Sequence, residues 1–351
     1  MLLPIERLRP PLILERGQWI LSMKRGLFIA VAGILVMLIF VAMHGTGGCQ
    51  SPLAAAATRP ADISMAFGNP ERVTVIGYSG PQEDPVISPD NNYLFFDSHN
   101  DAGLPERLYY ARRVDYKTFQ FLGAISGANV DGKVTLRGNY DLAKNFYFVS
   151  QLCGSMPYLT GICHGTWEDG TVTNVTRMQG LYEPLPPSGG AAIFDVAVSP
   201  DGNRLYYSYA FLGPSGQPTI SRAVVVEKNK HGSFSRAQID HIQNVNAITP
   251  TVYNPAPSPD DLTIVFTAPD LQNQIFPQVY VAERSSTTSR FGAPKLIAAA
   301  NEGPAWPVSK NGTLTPPVFS ENGGFSADGK YLYFHRVLGP SQSQLYVLTR
   351  Q

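Results

Sequence analysis

Four aspartates, Asp90, Asp201, Asp260 and Asp328, recur at one place in a repeated phrase. The phrase reads ISPDNNYLFFDSH at 87–99, VSPDGNRLYYSYA at 198–210, PSPDDLTIVFTAP at 257–269 and FSADGKYLYFHRV at 325–337. Carboxylates can bind cations or move protons. In a Pro-Asp-Gly turn, however, Pro fixes φ, Asp bonds the backbone two residues on, and Gly accepts positive φ. These four are therefore assigned to turns.

Four residues before each turn lies a subtler polar repeat, Asp84, Asp195, Asn254 and Asn322, with Arg137 or Asn139 as its counterpart in a degenerate unit. Carboxylates and carboxamides brought together around a solvated mouth could bind a cation or sugar hydroxyls. Equally, they could cap strand-end backbone and hold water. Asp84 with Asp195 would suit an acid/base pair for glycoside cleavage if their separation fits. A third inner acid is wanting, because the other aligned positions are amides, and strand alternation should turn Glu83 and Glu321 away. The sequence lacks G-x-S-x-G, H-E-x-x-H and the complete phosphate-cradling G-x-x-x-x-G-K-[ST]. No cofactor and no dedicated metal site are expected; the one allowance is a structural cation in a central channel.

The elements that position these residues follow from the repeat. Each copy is a short run, a turn and an aromatic or β-branched run, which is two strands joined by a tight reversal. A third strand follows at LYYARR (108–113), AVVVEK (223–228), VYVAER (279–284) and LYVLTR (345–350). A fourth opens at Phe119, Phe234 and Phe291. In the degenerate unit, GNYDLAKNFYFVSQ (138–151) keeps the rhythm without Ser-Pro-Asp, and HGTWED and TVTNVTR supply its last strands. Four antiparallel strands recurring every 50 to 70 residues are the signature of a propeller blade. Turns near 88, 141, 199, 258 and 326 give five units, and no sixth is found. The last unit ends after its third strand, while FGNPERVTVI from Phe67 aligns with FGAPKLI from Phe291. The expected fold is all-β: a single five-bladed propeller of four-stranded blades, closed by an amino-terminal strand that completes the last blade. The aromatics Tyr93, Phe95, Tyr206, Phe266, Tyr331 and Tyr333 should pack between blades.

Ser-Pro-Asp-Gly followed by a Leu-Tyr-Phe-type strand resembles the WD40-like (PD40) repeat of TolB-type periplasmic proteins. The resemblance covers nearly all of the chain after the leader and implies the propeller fold. TolB-type proteins also carry an amino-terminal α/β domain, for which the stretch from Cys49 to Phe67 is too short.

Strand direction puts the Ser-Pro-Asp turns on one face of the ring. Every long segment goes to the other: 99–106, the loop between Cys153 and Cys163, 210–218, 268–277, 180–192 and 301–317. Loops on a rigid scaffold commonly carry binding residues, and Trp306, Tyr182 and Phe276 are the apolar-contact candidates there.

The leader reads as an export address. Met23-Lys24-Arg25 precedes an uncharged apolar run from Gly26 to Met43, and small residues lead to Cys49. That pattern is similar to a lipoprotein signal with Cys49 as the lipidated residue, although Thr46 stands where an aliphatic residue is usual. A retained anchor and ordinary cleavage near Ala54–Ala57 are the alternatives. Residues 1–22 read as a cytoplasmic prefix or as sequence upstream of a true start at Met23; 23–49 form the signal or anchor, 50–60 a linker, and 61–351 the propeller. In an oxidising compartment Cys153 and Cys163 could close a disulfide; two free thiols, or a metal site needing more ligands than the adjacent His164, are the alternatives. The 27 basic and 27 acidic residues cancel. No basic stripe marks a nucleic-acid partner.

Together these features point to an exported, membrane-tethered module, extracytoplasmic in location, that binds or scaffolds an envelope protein, peptide or glycan. Asp84, Arg137, Asn139, Asp195, Asn254, Asn322 and Trp306 are its candidate ligand-binding residues. The alternative is a carbohydrate-active hydrolase or lyase using Asp84 and Asp195 at the channel mouth.

Overall fold

The structure, a computed structural model, describes residues 63–98, 105–154, 159–181, 190–213, 218–236, 240–269, 276–303, 319–339 and 342–351. Cys49, Tyr182 and Trp306 lie outside these, as do the apolar run 26–43 and much of each long segment. Among the described residues no helix is long and apolar enough to cross a membrane.

An amino-terminal strap supplies β1 (Glu71–Arg72) and β2 (Thr74–Ile76). Blade 1 follows as β3 (Glu83–Ile87), β4 (Tyr93–Asp97), β5 (Leu108–Arg113) and β6 (Thr118–Ala124). Blade 2 is β7 (Thr135–Tyr140), β8 (Asn145–Ser150), β9 (Gly161–Glu168) and β10 (Thr171–Arg177). Blade 3 is β11 (Gly190–Val198), β12 (Arg204–Leu212), β13 (Pro218–Lys228) and β14 (Phe234–Arg236). Blade 4 is β15 (Tyr253–Pro257), β16 (Thr263–Pro269), β17 (Pro277–Glu283) and β18 (Lys295–Leu296). Blade 5 is β19 (Phe319–Phe325), β20 (Tyr331–Gly339) and β21 (Gln342–Thr349), completed by β1. The five sheets form a five-bladed β-propeller.

The strap does what the Phe-Gly-x-Pro alignment predicts. β1 pairs antiparallel with β21, Glu71 opposite Val347. Gly68 N–H donates to Thr349 O at 2.8 Å, as Gly292 N–H donates to Glu283 O at 2.7 Å in blade 4. It also does more than predicted. β2 pairs in parallel with β6, Val75 opposite Phe119, so blade 1 carries five strands. Ile63 and Phe67 bury themselves between blades 4 and 5. One short segment thereby covers two sheet edges and touches three blades.

An apolar cluster fills each blade-to-blade interface, and the repeated aromatics supply its bulk. Phe95, Tyr140, Phe146 and Trp167 pack between blades 1 and 2; Tyr147, Tyr207 and Tyr209 between 2 and 3. Tyr206 and Phe266 lie between 3 and 4, Phe325 and Phe334 between 4 and 5, and Phe96 and Tyr333 between 5 and 1. Such offset and edge-on aromatic pairs add to the area they bury.

The turn aspartates build turns. In each, the Ser hydroxyl donates to the Asp carboxylate: Ser88–Asp90, Ser199–Asp201 and Ser326–Asp328 at 2.6 Å, Ser258–Asp260 at 2.5 Å. The same carboxylates accept the N–H two residues on, from Asn92, Asn203, Leu262 and Lys330. In the degenerate blade Asp141 takes over, accepting from Ala143 N and Asn145 N at 2.9 Å.

Candidate functional site

Every innermost strand is broken by a β-bulge at one height. The register slips between Glu83 and Val86, Leu136 and Gly138, Ile193 and Val196, Tyr253 and Ala256, and Asn322 and Gly324. A bulge turns side chains away from simple alternation. Here it aims the predicted polar repeat at the axis. Asp84 and Asn254 reach it with φ of 48° and 52°, the left-handed region that Asp and Asn tolerate better than most residues.

The repeat converges. Asn254 Nδ2 donates to Asp84 Oδ1 at 2.9 Å and to Asn322 O at 3.2 Å, and Asn322 Nδ2 returns a bond to Asn254 O at 2.9 Å. Asp195 Oδ2 accepts from Ser208 Oγ at 2.7 Å and from Asn254 N at 3.2 Å. From blade 2, Arg137 reaches Asn322 O and Gly323 O. Blades 1 and 4, and blades 2 and 5, are not neighbours, so these bonds cross the axis. Gly323 is required there: a Cβ would stand 2.2 Å from Pro85 O.

Two expectations need correction. The ring was expected to line a solvated mouth, yet Asp84, Arg137, Asp195, Asn254 and Asn322 are all buried. Of the two candidates in blade 2, Arg137 occupies the bulge, while half-buried Asn139 donates to Ile87 O at 3.3 Å instead. Glu83 and Glu321 are not turned away either. Glu83 accepts from Ser343 Oγ at 2.7 Å, and Glu321 accepts from Tyr253 OH at 3.0 Å and lies 3.2 Å from His335 Nε2. Alternation failed as a guide because the bulge resets it.

A second polar row escaped the sequence reading. Asp97, Ser208, Thr267 and His335 each follow the strand aromatic Phe96, Tyr207, Phe266 or Phe334. Each accepts the backbone N–H of the next blade's ring residue: Arg137 N to Asp97 Oδ2 at 2.8 Å, Asn254 N to Ser208 Oγ at 2.9 Å, Asn322 N to Thr267 Oγ1 at 2.9 Å, Asp84 N to His335 Nδ1 at 3.1 Å. The bulges free these N–H groups from the ladder, and buried donors need acceptors. The signal was present as FFD, YYS, VFT and YFH. Blade 2 reads YFV, with buried Val149, and has no such clasp. Its seam with blade 3 uses Thr160, which exchanges bonds with Ile193 O at 2.5 Å and Ile193 N at 3.0 Å.

Burial pushes the Asp195 carboxyl above its usual range; Arg137, Ser208 and Asn254 pull back without offsetting it. The turns do the reverse. Partial burial opposes ionisation of Asp90, Asp201 and Asp328, but their hydrogen bonds outweigh it and hold all three low. Burial alone would lower His335, yet the Glu321 carboxylate, with Asp84 and Glu83 behind it, holds it above its ordinary value.

Ligand atoms of Asp84, Glu321 and His335 lie within 4.8 Å of one another, close enough to share a divalent cation. The donor set does not fit one in this arrangement. A peptide N–H can only donate, so His335 Nδ1 must offer its lone pair to Asp84, and the neutral ring then carries its proton on Nε2.

Cys153 and Cys163 form a disulfide at the blade 2 loop. Strand ends that open onto the long segments, including Asp97, Leu108, Leu212, Pro269 and Pro277, share the face at which the innermost strands begin. Half-buried Phe276 stands on that face, next to Pro277.

No protein-family profile matches the sequence, and the search of curated proteins found no match. Solved structures align with it at low similarity. A family 117 glycoside hydrolase from the marine bacterium Zobellia galactanivorans is 11% identical over 82% of this chain and 91% of its own, with a TM-score of 0.44. TolB from Acinetobacter baumannii is 14% identical over 78% of this chain and 55% of its own, TM-score 0.36. A putative TolB from Agrobacterium tumefaciens is 13% identical over 78% and 91%, TM-score 0.37. At such distances the likeness says nothing of activity.

Proposed function

We propose that this chain is an exported propeller with PD40-type repeats, held at a membrane through its amino-terminal segment, that serves as a non-enzymatic binding or scaffold module of the cell envelope. The observation that carries the reading is the state of the two ring aspartates. Asp84 and Asp195 are buried and engaged in hydrogen bonds that tie blades together. A glycosidase acid/base pair has to meet substrate and exchange protons with it. Recognition then falls to the face that carries the long segments, with Trp306, Tyr182 and Phe276 as apolar contacts for a protein, peptide or glycan. The Cys153–Cys163 disulfide suits an oxidising compartment, and lipidation at Cys49 would supply the tether.

The test is a binding screen of the disulfide-intact chain against envelope extracts and glycan arrays. The reading expects a partner whose affinity falls at least about tenfold when Trp306, Tyr182 and Phe276 are replaced by Ala. Glycan cleavage that disappears in Asp195→Asn would overturn it in favour of the hydrolase. Separately, Cys49→Ser should release the chain from the membrane fraction.

A further inference from the structure

We propose that His335 makes the seam between blades 5 and 1 a proton-operated joint, in which the clasp on Asp84 exchanges for a pairing with carboxylates as the ring gains a proton. The four clasps are alike in geometry and unlike in chemistry. Ser208 and Thr267 are not titratable near neutral pH, and Asp97 remains an acceptor once ionised. His335 alone among them can turn from acceptor to donor near neutrality.

In the neutral ring, Nδ1 accepts Asp84 N–H at 3.1 Å. A proton taken from solvent onto Nδ1 sets two donors against each other, and that bond is lost. The imidazolium has partners close by: Asp84 Oδ1 is 3.7 Å from Nδ1, and Glu321 Oε2 is 3.2 Å from Nε2. Nε2 now lies off the line of a hydrogen bond to Glu321, so a small ring rotation improves that contact. Asp84 Oδ1 is also the acceptor for Asn254 Nδ2, so a proton at His335 competes with a bond across the axis.

The ionisable surroundings favour the exchange. Glu321 comes from β19, Glu83 and Asp84 from β3, and Tyr253 of β15 reaches the ring through Glu321. The cations are turned elsewhere: Arg137 of β7 is at Asn322 O and Gly323 O, and Arg336 of β20 is at Ala300 O. The carboxylates favour imidazolium while the clasp demands a neutral ring, and two arrangements separated by one proton make a switch.

The decisive comparison is with His335→Thr and His335→Ser, which install the acceptors that blades 4 and 3 use. In the intact protein the Asp84 amide should titrate in NMR with the midpoint of the His335 ring. Its hydrogen exchange, corrected for intrinsic rate, should rise at least about tenfold across that midpoint. In His335→Thr or His335→Ser the corrected rate should stay flat. An Asp84 amide that ignores the His335 titration in the native chain overturns the proposal without any variant, and the same pH response in the threonine or serine form overturns it equally.

Discussion

The turn face and the axis of this propeller use aspartate at the same period and to opposite ends. On the turn face, Asp201 and Asp328 are bonded within their own turns, Asp90 adds bonds from Tyr140 and Lys144 of blade 2, and all three are partly exposed and held in the ionised form. At the axis, Asp195 is buried, bonded between blades and pushed towards its neutral form. A residue repeated once per blade can thus finish a local turn or lock the ring as a whole. What decides is whether the carboxylate sits at the partly exposed turn face or is buried at the axis.

The comparison predicts unequal costs. Arg137→Met should be most severe, because it leaves Asp195 without its nearby cation and takes the guanidinium from the carbonyls of Asn322 and Gly323; breaking a buried charged group this way costs about 3–5 kcal/mol. Urea unfolding measures it, and a loss no larger than that of a turn mutant would erase the distinction. Next comes Thr267→Val, nearly isosteric, which removes the acceptor of Asn322 N–H and should cost about 1–3 kcal/mol. Asp201→Ala removes bonds that water can partly replace, and about 1 kcal/mol is expected.

Acidity gives the smallest and most diagnostic difference. For the turn carboxylates the folded pKa is lowered, so their stabilisation is present above the unfolded value of about 3.9 and is lost as pH falls through the folded one. For Asp195 the folded pKa is raised, so its contribution is greatest below about 3.9 and declines as pH rises towards the folded value. Urea midpoints from pH 2 to 7 should therefore lose their acid-side fall in part with Asp201→Asn and their opposite slope with Asp195→Asn. Parallel profiles for the two variants would refute the contrast.

How legible each region was follows from the same physics. The turns are local: Ser-Pro-Asp-Gly carries its whole hydrogen-bond scheme within six letters, so blades, closure and turn roles could be read directly. The ring positions were legible as a period. Their burial was not, because it depends on bulges that reset alternation, as at Glu83, Glu321 and Asn139. The clasp row was written plainly in FFD, YYS, VFT and YFH, but its meaning lies in the bulge of the following blade. The parallel pairing of β2 with blade 1 had no counterpart elsewhere in the repeat to reveal it.

The claim on which the account turns is that the axis is a lock closed by side chains from distant blades. A double-mutant cycle with Asp84→Ala and Asn254→Ala, followed by equilibrium unfolding, tests it most directly, since their bond joins residues 170 positions apart. The account predicts a coupling of about 1 kcal/mol or more; effects that add within about 0.5 kcal/mol would contradict it.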